Sequence, residues 1–274
     1  AAAIWSASLR DIRSYPAAAM LRFFDNHGLM SAVHRRPAWR TVVGGSRAYV
    51  QRLMDDFDGR VFTGRAVDTI RRGPDGVTVV DALGHFERYD DVVIAAHADQ
   101  ALRMLDAPTP EEARVLGAFR YSRNETILHR DAGLMPNRKA AWSSWNHMGS
   151  RGADDGCVTY WMNRLQTLDT RDDLFVTLNP VKPVDDAKIL RAQTYEHPLF
   201  DAPAISAQKD LWSLQGGRNT WYCGAYFGAG FHEDGLQAGL AVAEALGGLK
   251  RPWTVAAESG RIQITEPEDA EIAA

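Results

Sequence analysis

A glycine-rich segment near the carboxyl end of the chain, residues 221–239, constrains the fold more than any other feature. It reads WYCGAYFGAGFHEDGLQAG, which predicts a short buried strand, a turn and then a helix. Gly224, Gly228 and Gly230 permit backbone angles and close approaches that bulkier residues resist. Gly235 keeps one side of the opening helix nearly bare. The pattern fits either a tight turn before a core helix or a site where an electron-rich ligand meets a helix start.

Length, composition and charge limit the class of protein and the partners that can be expected. The 274 residues exceed the usual length of one simple domain, so one large domain or two intertwined domains are expected. The composition, 45% hydrophobic and 24% charged, is ordinary for a globular protein. The net charge is −4, which gives no reason to expect nucleic acid or an anionic membrane surface as a partner.

The cysteines and histidines argue against structural disulfides and metal sites. Cys157 and Cys223 are far apart in sequence, which disfavours a disulfide framework and a cysteine-rich zinc site. The histidines lack the spacing of metal ligands, so no metal is expected. Since the cysteines suggest no disulfide framework, a reducing cytoplasm is the simplest location. Because no apolar run approaches the length that spans a bilayer, no integral membrane segment is expected.

The middle of the chain predicts a β meander that leads into a buried strand. Turn residues separate four short strand-like runs, at 60–62, 66–71, 77–82 and 85–89. Residues 91–96 then have the apolar character of a fully buried strand. A meander that feeds a buried strand does not occur in a plain βαβαβ array.

Residues 119–200 predict an antiparallel sheet. Its strand-like runs are 126–129, 141–145, 158–162 and 175–178. Four aromatic residues in these runs either line a substrate cavity or pack as ordinary core, namely Trp142, Trp145, Tyr160 and Trp161. Arg164 follows one run, where it would bind a substrate carboxylate or form a surface salt bridge.

Helices are predicted between these strands. They cover 46–57, about 98–105, about 108–117, the residues after Pro203 and the segment from the glycine-rich turn to about 246. Ser46 is the expected N-cap of the first helix, and Thr109 with Pro110 opens the third. Residues 251–274, which end in an acidic stretch at 266–271, are predicted to form a loose tail.

Residues 42–48, VVGGSRA, offer a rival interpretation as a serine hydrolase. A strand, the sequence G-x-S-x-A and a helix come close to a nucleophile elbow built on Ser46. His97 or His232 with a downstream Asp would then complete a triad. The final glycine of the motif is replaced by Ala48, however, and Ser46 is also explained as a helix cap.

Several segments together resemble the flavin-containing amine oxidase and phytoene desaturase superfamily, most closely its bacterial branch of predicted NAD/FAD-binding oxidoreductases. In chain order the matching segments are AAIWS at 2–6, FFDNHGL at 23–29, WRTVVGGS at 39–46, VIAAHADQAL at 93–102, YWMNRLQ at 160–166, YEHP at 195–198 and GFHEDG at 230–235. So many ordered matches are more specific than any single glycine pattern.

The resemblance implies a mixed α+β and α/β fold in two parts. A partial FAD/NAD(P)-binding domain would comprise 38–106 and 217–250. A substrate domain with an antiparallel sheet and helices would comprise 1–37 and 107–216, and 251–274 would be the tail.

The resemblance also implies FAD as the cofactor and an enzyme that oxidises or desaturates an organic small molecule by hydride transfer to flavin. Relatives handle amines, carotenoid precursors and lipids, and the aromatic-rich sheet would suit a lipid-like substrate. The implied FAD contacts are Val67, Ala95, Ala96, Gly224, Ala225, Gly230, Phe231, His232 and Gly235. No catalytic base is identified.

The sequence departs from the family at two points. Relatives often have an acidic residue where this chain has Ala225, and, as the larger departure, the chain contains no G-x-G-x-x-G segment between a strand and a helix. That unit holds the pyrophosphate of the dinucleotide. We therefore expect a carboxyl-terminal fragment that begins at Ala1 inside a longer protein and that binds FAD weakly or not at all by itself. A piece that binds an apolar ligand without catalysis is the non-enzymatic alternative.

Overall fold

The computed structural model describes residues 2–5, 7–26, 28, 30, 40–149, 156–254 and 259–264. The chain divides into two compact units, each built from two separate stretches. Unit 1 comprises Ala1–Val61 and Tyr121–His197, and unit 2 comprises Phe62–Arg120 and Pro198–Ala274. The acidic stretch 266–271 and the motif residues Ser6, His27, Leu29 and Trp39 lie outside the described residues.

The elements of the described residues are numbered in chain order. The strands are β1 (Val67–Gly73), β2 (Gly76–Asp81), β3 (Phe86–Tyr89), β4 (Val92–Ile94), β5 (Arg120–His129), β6 (Trp145–Gly149), β7 (Gly156–Trp161), β8 (Phe175–Leu178), β9 (Ile189–Leu199) and β10 (Thr220–Tyr222). The helices are α1 (Ala2–Trp5), α2 (Leu9–Ile12), α3 (Ala17–Asn26), α4 (Ser46–Asp55), α5 (Ala98–Met104), α6 (Pro110–Leu116), α7 (Met162–Leu165), α8 (Ala202–Ala207) and α9 (His232–Gly247). Among the helices of these residues, none is long and apolar enough to cross a membrane.

The predicted meander is present in unit 2. Strands β1, β2 and β3 form an antiparallel sheet in that order, with Ile70 opposite Val79 and Val77 opposite Tyr89. The tight β1–β2 turn needs Gly76, whose φ is 116° and where a Cβ would lie 2.4 Å from Tyr89 O. The run at 60–62 is not a strand; the chain there is irregular.

The strand predicted at 91–96 is shorter and less buried than expected. β4 pairs in parallel with β10, and Trp221 lies opposite Val93. Because β10 is its partner in a sheet of two strands, Val93 keeps 42% of its surface exposed while Ile94 is buried. The prediction of a fully buried strand was wrong, since full burial needs layers on both faces of a wider sheet.

Local capping sets the start of α6 as predicted. The Glu112 backbone N–H donates to Thr109 Oγ1 over 3.1 Å, and the Thr109 N–H donates to Glu112 Oε2 over 2.7 Å. These reciprocal bonds satisfy two helix-start donors. At α4 the prediction was wrong, because Gly45 is the N-cap and Ser46 is the first helical residue.

Unit 1 contains the predicted antiparallel sheet, with strand order β6-β7-β8-β5-β9. The pairs β6–β7, β7–β8 and β5–β8 are antiparallel, with Tyr160 opposite both Trp145 and Val176. Its core includes Ile127, Leu134 and Cys157. The predicted strand at 141–145 was wrong, because a 3₁₀ turn at Lys139–Ala141 precedes β6, which begins at Trp145.

The predicted loose tail is wrong for residues 259–264. Ile262 is buried, and Arg261 Nε donates to Asp234 Oδ1 over 2.7 Å. Closer to α9, Arg251 Nε donates to Glu244 Oε1 over 2.5 Å. Two arginines therefore attach the chain that follows α9 to that helix.

Candidate functional site

An open cleft with a volume of about 710 Å³ lies in unit 2. Its walls come from the meander, from the carboxyl end of β4 and from α5. The residues that line it are Ala66, Val67, Asp68, Ile70, Val79, Val92, Val93, Ile94, Ala95, Ala96, Gln100, Arg103 and Met104. Three of the predicted cofactor contacts, Val67, Ala95 and Ala96, therefore share one largely apolar cavity.

The parallel pairing of β4 and β10 places the carboxyl ends of both strands at one edge. Ala95 and Ala96 follow β4, and Gly224 follows β10 after Cys223. A Cβ at residue 224 would lie 3.4 Å from Ala96 O and 2.8 Å from the Tyr226 ring. Gly224 and Ala96 are therefore neighbours, and a side chain at residue 224 would collide with the Tyr226 ring while only touching Ala96 O.

The turn after β10 gathers the other predicted residues. The Gly230 N–H donates to Ala225 O over 3.1 Å, which folds the turn back on itself. Gly230 has a φ of 90°, and a Cβ there would lie 2.8 Å from Phe200 Cε2. A Cβ at Gly235 would lie 3.6 Å from Ala225 N, so the glycine leaves that amide uncovered by a side chain.

The first turn of α9 is capped by Asp234 and not by a histidine. Phe231 is the N-cap residue, and its N–H donates to Asp234 Oδ2 over 2.8 Å. His232 is the first helical residue, and its side chain is exposed. The α9 start thus presents His232 outward and buries the carboxylate of Asp234 beside the turn.

A buried ionic cluster joins strands β1 and β10 through helix α6. Arg72 of β1 forms an ion pair with Glu112 of α6, and their side chains are 1% and 5% exposed. Tyr222 of β10 donates its hydroxyl to Glu112 Oε1 over 2.8 Å. The cluster therefore connects the cleft wall to the strand that leads into the glycine-rich turn.

The electrostatics of this cluster favour the ionised carboxylate. Burial opposes ionisation of Glu112, but hydrogen bonds from Arg72, the Thr109 N–H and Tyr222 outweigh it and lower the pKa of Glu112 to about 2. Burial and the bond to Glu112 raise the pKa of Tyr222. Burial likewise raises the pKa of the Cys223 thiol, which favours its protonated, less nucleophilic form.

The four predicted substrate aromatics of unit 1 form two separate pairs. Tyr160 and Trp161 are consecutive in β7, so their side chains point to opposite faces of the sheet. Trp145 packs edge-on against Tyr160 with ring centroids 5.2 Å apart, and Trp142 packs in the same way against Trp161 at 5.2 Å. The structure therefore does not bring all four to one cavity wall.

The Trp142–Trp161 pair is the more polar of the two. Lys139 Nζ lies 5.0 Å from the Trp142 ring centroid and 2.7 Å from Asp173 Oδ2. Trp161 Nε1 donates to Asp173 Oδ1 over 3.0 Å. Arg164 is exposed on the short helix α7, which directly follows β7.

The serine hydrolase interpretation lacks its geometry. Residues 40–45, which precede Ser46, contain no strand, whereas a nucleophile elbow joins a strand to a helix. Ser46 lies in unit 1, and the proposed partners His97 and His232 lie in unit 2.

Comparison with known families gives a match over the first part of the chain, which includes the residues that line the cleft. Residues 6–125 match the family described as flavin containing amine oxidoreductase. The match confirms the resemblance to the flavin amine oxidase superfamily. Its description names flavin, and FAD is the cofactor that the match indicates. A search of curated protein sequences gives no significant match.

Several solved structures are similar to this chain. A triple mutant of putrescine oxidase, from a redesign of cofactor binding, is 14% identical with a TM-score of 0.51, and the match covers 75% of this chain and 53% of that one. Reduced UDP-galactopyranose mutase is 12% identical with a TM-score of 0.49, over 76% and 52%. A CLA-producing fatty acid isomerase from P. acnes is 15% identical with a TM-score of 0.45, over 66% and 47%. The chain spans about half the length of these structures.

Sequence reasoning about this flavin amine oxidase-like chain missed residues that hold the turn. Gln208 is buried and donates from Nε2 to Tyr226 O over 2.9 Å and to Gly228 O over 2.5 Å. Arg261 lies in the predicted tail. Neither residue belongs to a local pattern, so only the fold reveals these contacts.

Proposed function

We propose that this chain is the carboxyl-terminal part of an FAD-dependent oxidoreductase, and that its unit 2 contributes one side of the FAD pocket. The supporting observation is the shared edge of β4 and β10, where Ala96 and Gly224 lie in close approach beside an open apolar cleft. The predicted FAD-binding ranges 38–106 and 217–250 fall mainly in this unit.

The residues at this edge fit the group that the family match indicates. The cleft beside Val67 has room for a planar apolar ring, and Ala95 and Ala96 offer backbone groups without side-chain bulk. At the other end, Gly224 and Gly235 leave backbone open for close contact. We propose that Ala225, Gly230, Phe231 and His232 complete the ribityl and ring side of the pocket.

Helix α9 would contribute electrostatics. Its sixteen residues place the positive end of the helix dipole at His232, beside the glycine-rich turn. Such an end stabilises negative charge on a neighbouring ligand. FAD, when bound, supplies hydride acceptance, and the chain's own groups would orient it and favour its reduced, anionic form.

The pyrophosphate contacts require a unit that these 274 residues do not contain, since no G-x-G-x-x-G segment occurs. We propose that a strand–GxGxxG–helix unit elsewhere in the gene product completes the pocket. In unit 1, the less polar Trp145–Tyr160 pair would meet an organic, lipid-like substrate. Trp142, Trp161 and Arg164 are secondary candidates for this role.

Flavin binding to the full gene product tests the proposal. The wild-type protein is expected to carry flavin absorbance after purification. Val67→Trp fills the cleft and is expected to raise the FAD dissociation constant by about tenfold or more. Leu83→Trp is the matched control, because Leu83 is also an exposed apolar residue of the meander but does not line the cleft.

Two results would contradict the proposal. One is a wild-type gene product that neither retains nor rebinds FAD. The other is an equal FAD dissociation constant for wild type, Val67→Trp and Leu83→Trp, since the cleft would then not take the cofactor.

A further inference from the structure

The segment at residues 259–264, here called the C-terminal strap, contacts the first turn of α9. Its chain turns through a hydrogen bond from the Ile262 N–H to Ser259 O, 3.0 Å long. Ile262 is 7% exposed, so an apolar side chain anchors the strap. The turn presents Arg261 to the helix.

Arg261 makes two contacts one helical turn apart on α9. Its Nε donates to Asp234 Oδ1 over 2.7 Å, and its backbone N–H donates to Gln237 Oε1 over 3.1 Å. Gln237 in turn donates from Nε2 to Glu233 Oε1 over 2.9 Å. The strap is therefore attached to both the first and the second turn of the helix.

Asp234 links the strap to the glycine-rich turn. While Oδ1 accepts from Arg261, Oδ2 accepts from the Phe231 N–H over 2.8 Å. The carboxylate fits tightly against Gly228, where a Cβ would lie 2.4 Å from Asp234 Oδ1. The Asp234 side chain is 0% exposed, and Arg261 balances its charge.

A buried carboxylate without a cationic partner is costly. If Arg261 were absent, the Asp234 carboxylate would be more stable in water than in its buried position. It would turn toward solvent, and the Phe231 N–H would lose its acceptor. The backbone at 228–231 would then lose the contact that fixes it. Arg251 makes the same kind of ion pair at the other end of α9, with Glu244, and so cannot replace this contact.

We infer that the C-terminal strap sets the geometry of the α9 start and that Arg261 is a positioning residue for the cofactor pocket, acting through Asp234. The cofactor part rests on the proposed function. The effect on the α9 start does not, so the two parts can be tested separately.

The first experiment measures amide hydrogen exchange in the 274-residue chain by mass spectrometry. Arg261→Gln removes the charge, Arg261→Lys keeps it, and Arg251→Gln is the control at the far end of α9. Exchange at 228–237 is expected to be at least about tenfold faster in Arg261→Gln, restored toward wild type in Arg261→Lys, and unchanged in Arg251→Gln. Wild-type exchange in Arg261→Gln would overturn the inference.

The second experiment measures the FAD dissociation constant of the full gene product with the same variants. Arg261→Gln is expected to raise it at least about tenfold, while Arg261→Lys and Arg251→Gln stay near wild type. Faster exchange with unchanged FAD affinity would overturn the cofactor part. A wild-type gene product that binds no FAD would overturn the proposed function, and hydrogen exchange alone would then decide whether the strap positions α9.

Discussion

Replacement of Glu112 by glutamine is expected to destabilise unit 2 strongly. The substitution keeps the size of the side chain and removes its charge. Arg72, whose side chain is 1% exposed, would then hold an uncompensated positive charge among buried groups. Tyr222 and the Thr109 N–H would lose a charged acceptor.

Two independent estimates give similar magnitudes. Breaking one partner of a buried ion pair costs about 3–5 kcal/mol. The difference between the ordinary glutamate pKa of 4.5 and the value of about 2 for Glu112 corresponds to about 3 kcal/mol at neutral pH. A loss near 3 kcal/mol is a large part of the free energy of unfolding of a typical folded domain, which is about 5–15 kcal/mol.

Urea unfolding at several pH values, followed by far-UV circular dichroism, measures this loss. Because the folded-state pKa is lowered, the stabilisation is present above about pH 4.5 and disappears as pH falls toward 2. The difference in unfolding free energy between wild type and Glu112→Gln should therefore be largest at neutral pH and disappear in acid.

Glu111→Gln is the matched control, since Glu111 is the neighbouring residue and pairs with Arg114 at the surface. Because surface ion pairs contribute little, Glu111→Gln should have the same free energy of unfolding as wild type within error. If Glu112→Gln and Glu111→Gln had equal unfolding free energies at neutral pH, the cluster would not stabilise the fold as argued.

Two further predictions concern backbone and acid stability. Gly230→Ala should lower the free energy of unfolding in urea by about 1–3 kcal/mol, because φ is positive there and a Cβ would meet Phe200. Gly239→Ala should raise it by about 0.5–1 kcal/mol, because a Cβ at this position in α9 has open space around it. Equal effects would refute the backbone argument. Burial lowers the pKa of His129 in the folded protein below its ordinary value of 6.5. As pH drops below about 6.5, the unfolded chain therefore binds more protons than the folded protein, and the melting temperature should fall. His129→Gln should weaken this fall, and the exposed His147→Gln should keep it; identical pH dependence in all three proteins would contradict the assignment.

Features set by neighbouring residues were predictable from the sequence. Thr109 and Glu112 form the capping box because a helix start needs acceptors within four residues. The residues where β1 turns into β2, Gly73-Pro74-Asp75-Gly76, marked the hairpin because these residue types favour turns. The order of motifs likewise predicted the fold class and the flavin amine oxidase resemblance, and both are confirmed.

Features that depend on distant partners were predicted less well. The burial of 91–96 depended on how many strands flank β4, and the aromatics of unit 1 were separated by the alternation of β7. The exact cap of α4 also shifted by one residue, to Gly45. The assignment of cofactor residues within the cleft stays a prediction until flavin binding is measured.

The sequence alone determined most of the local elements and the set of glycines proposed to meet a ligand, because turn chemistry, capping and alternation act over a few residues. Tertiary structure alone decided which of these meet: Ala96 against Gly224 through a parallel pair, Arg72 against Tyr222 through a shared carboxylate, and Arg261 against Asp234 across the end of α9. The physical reason is that a buried charge or a close backbone approach is stable only where its partner arrives, and the fold, not the spacing along the chain, brings that partner there.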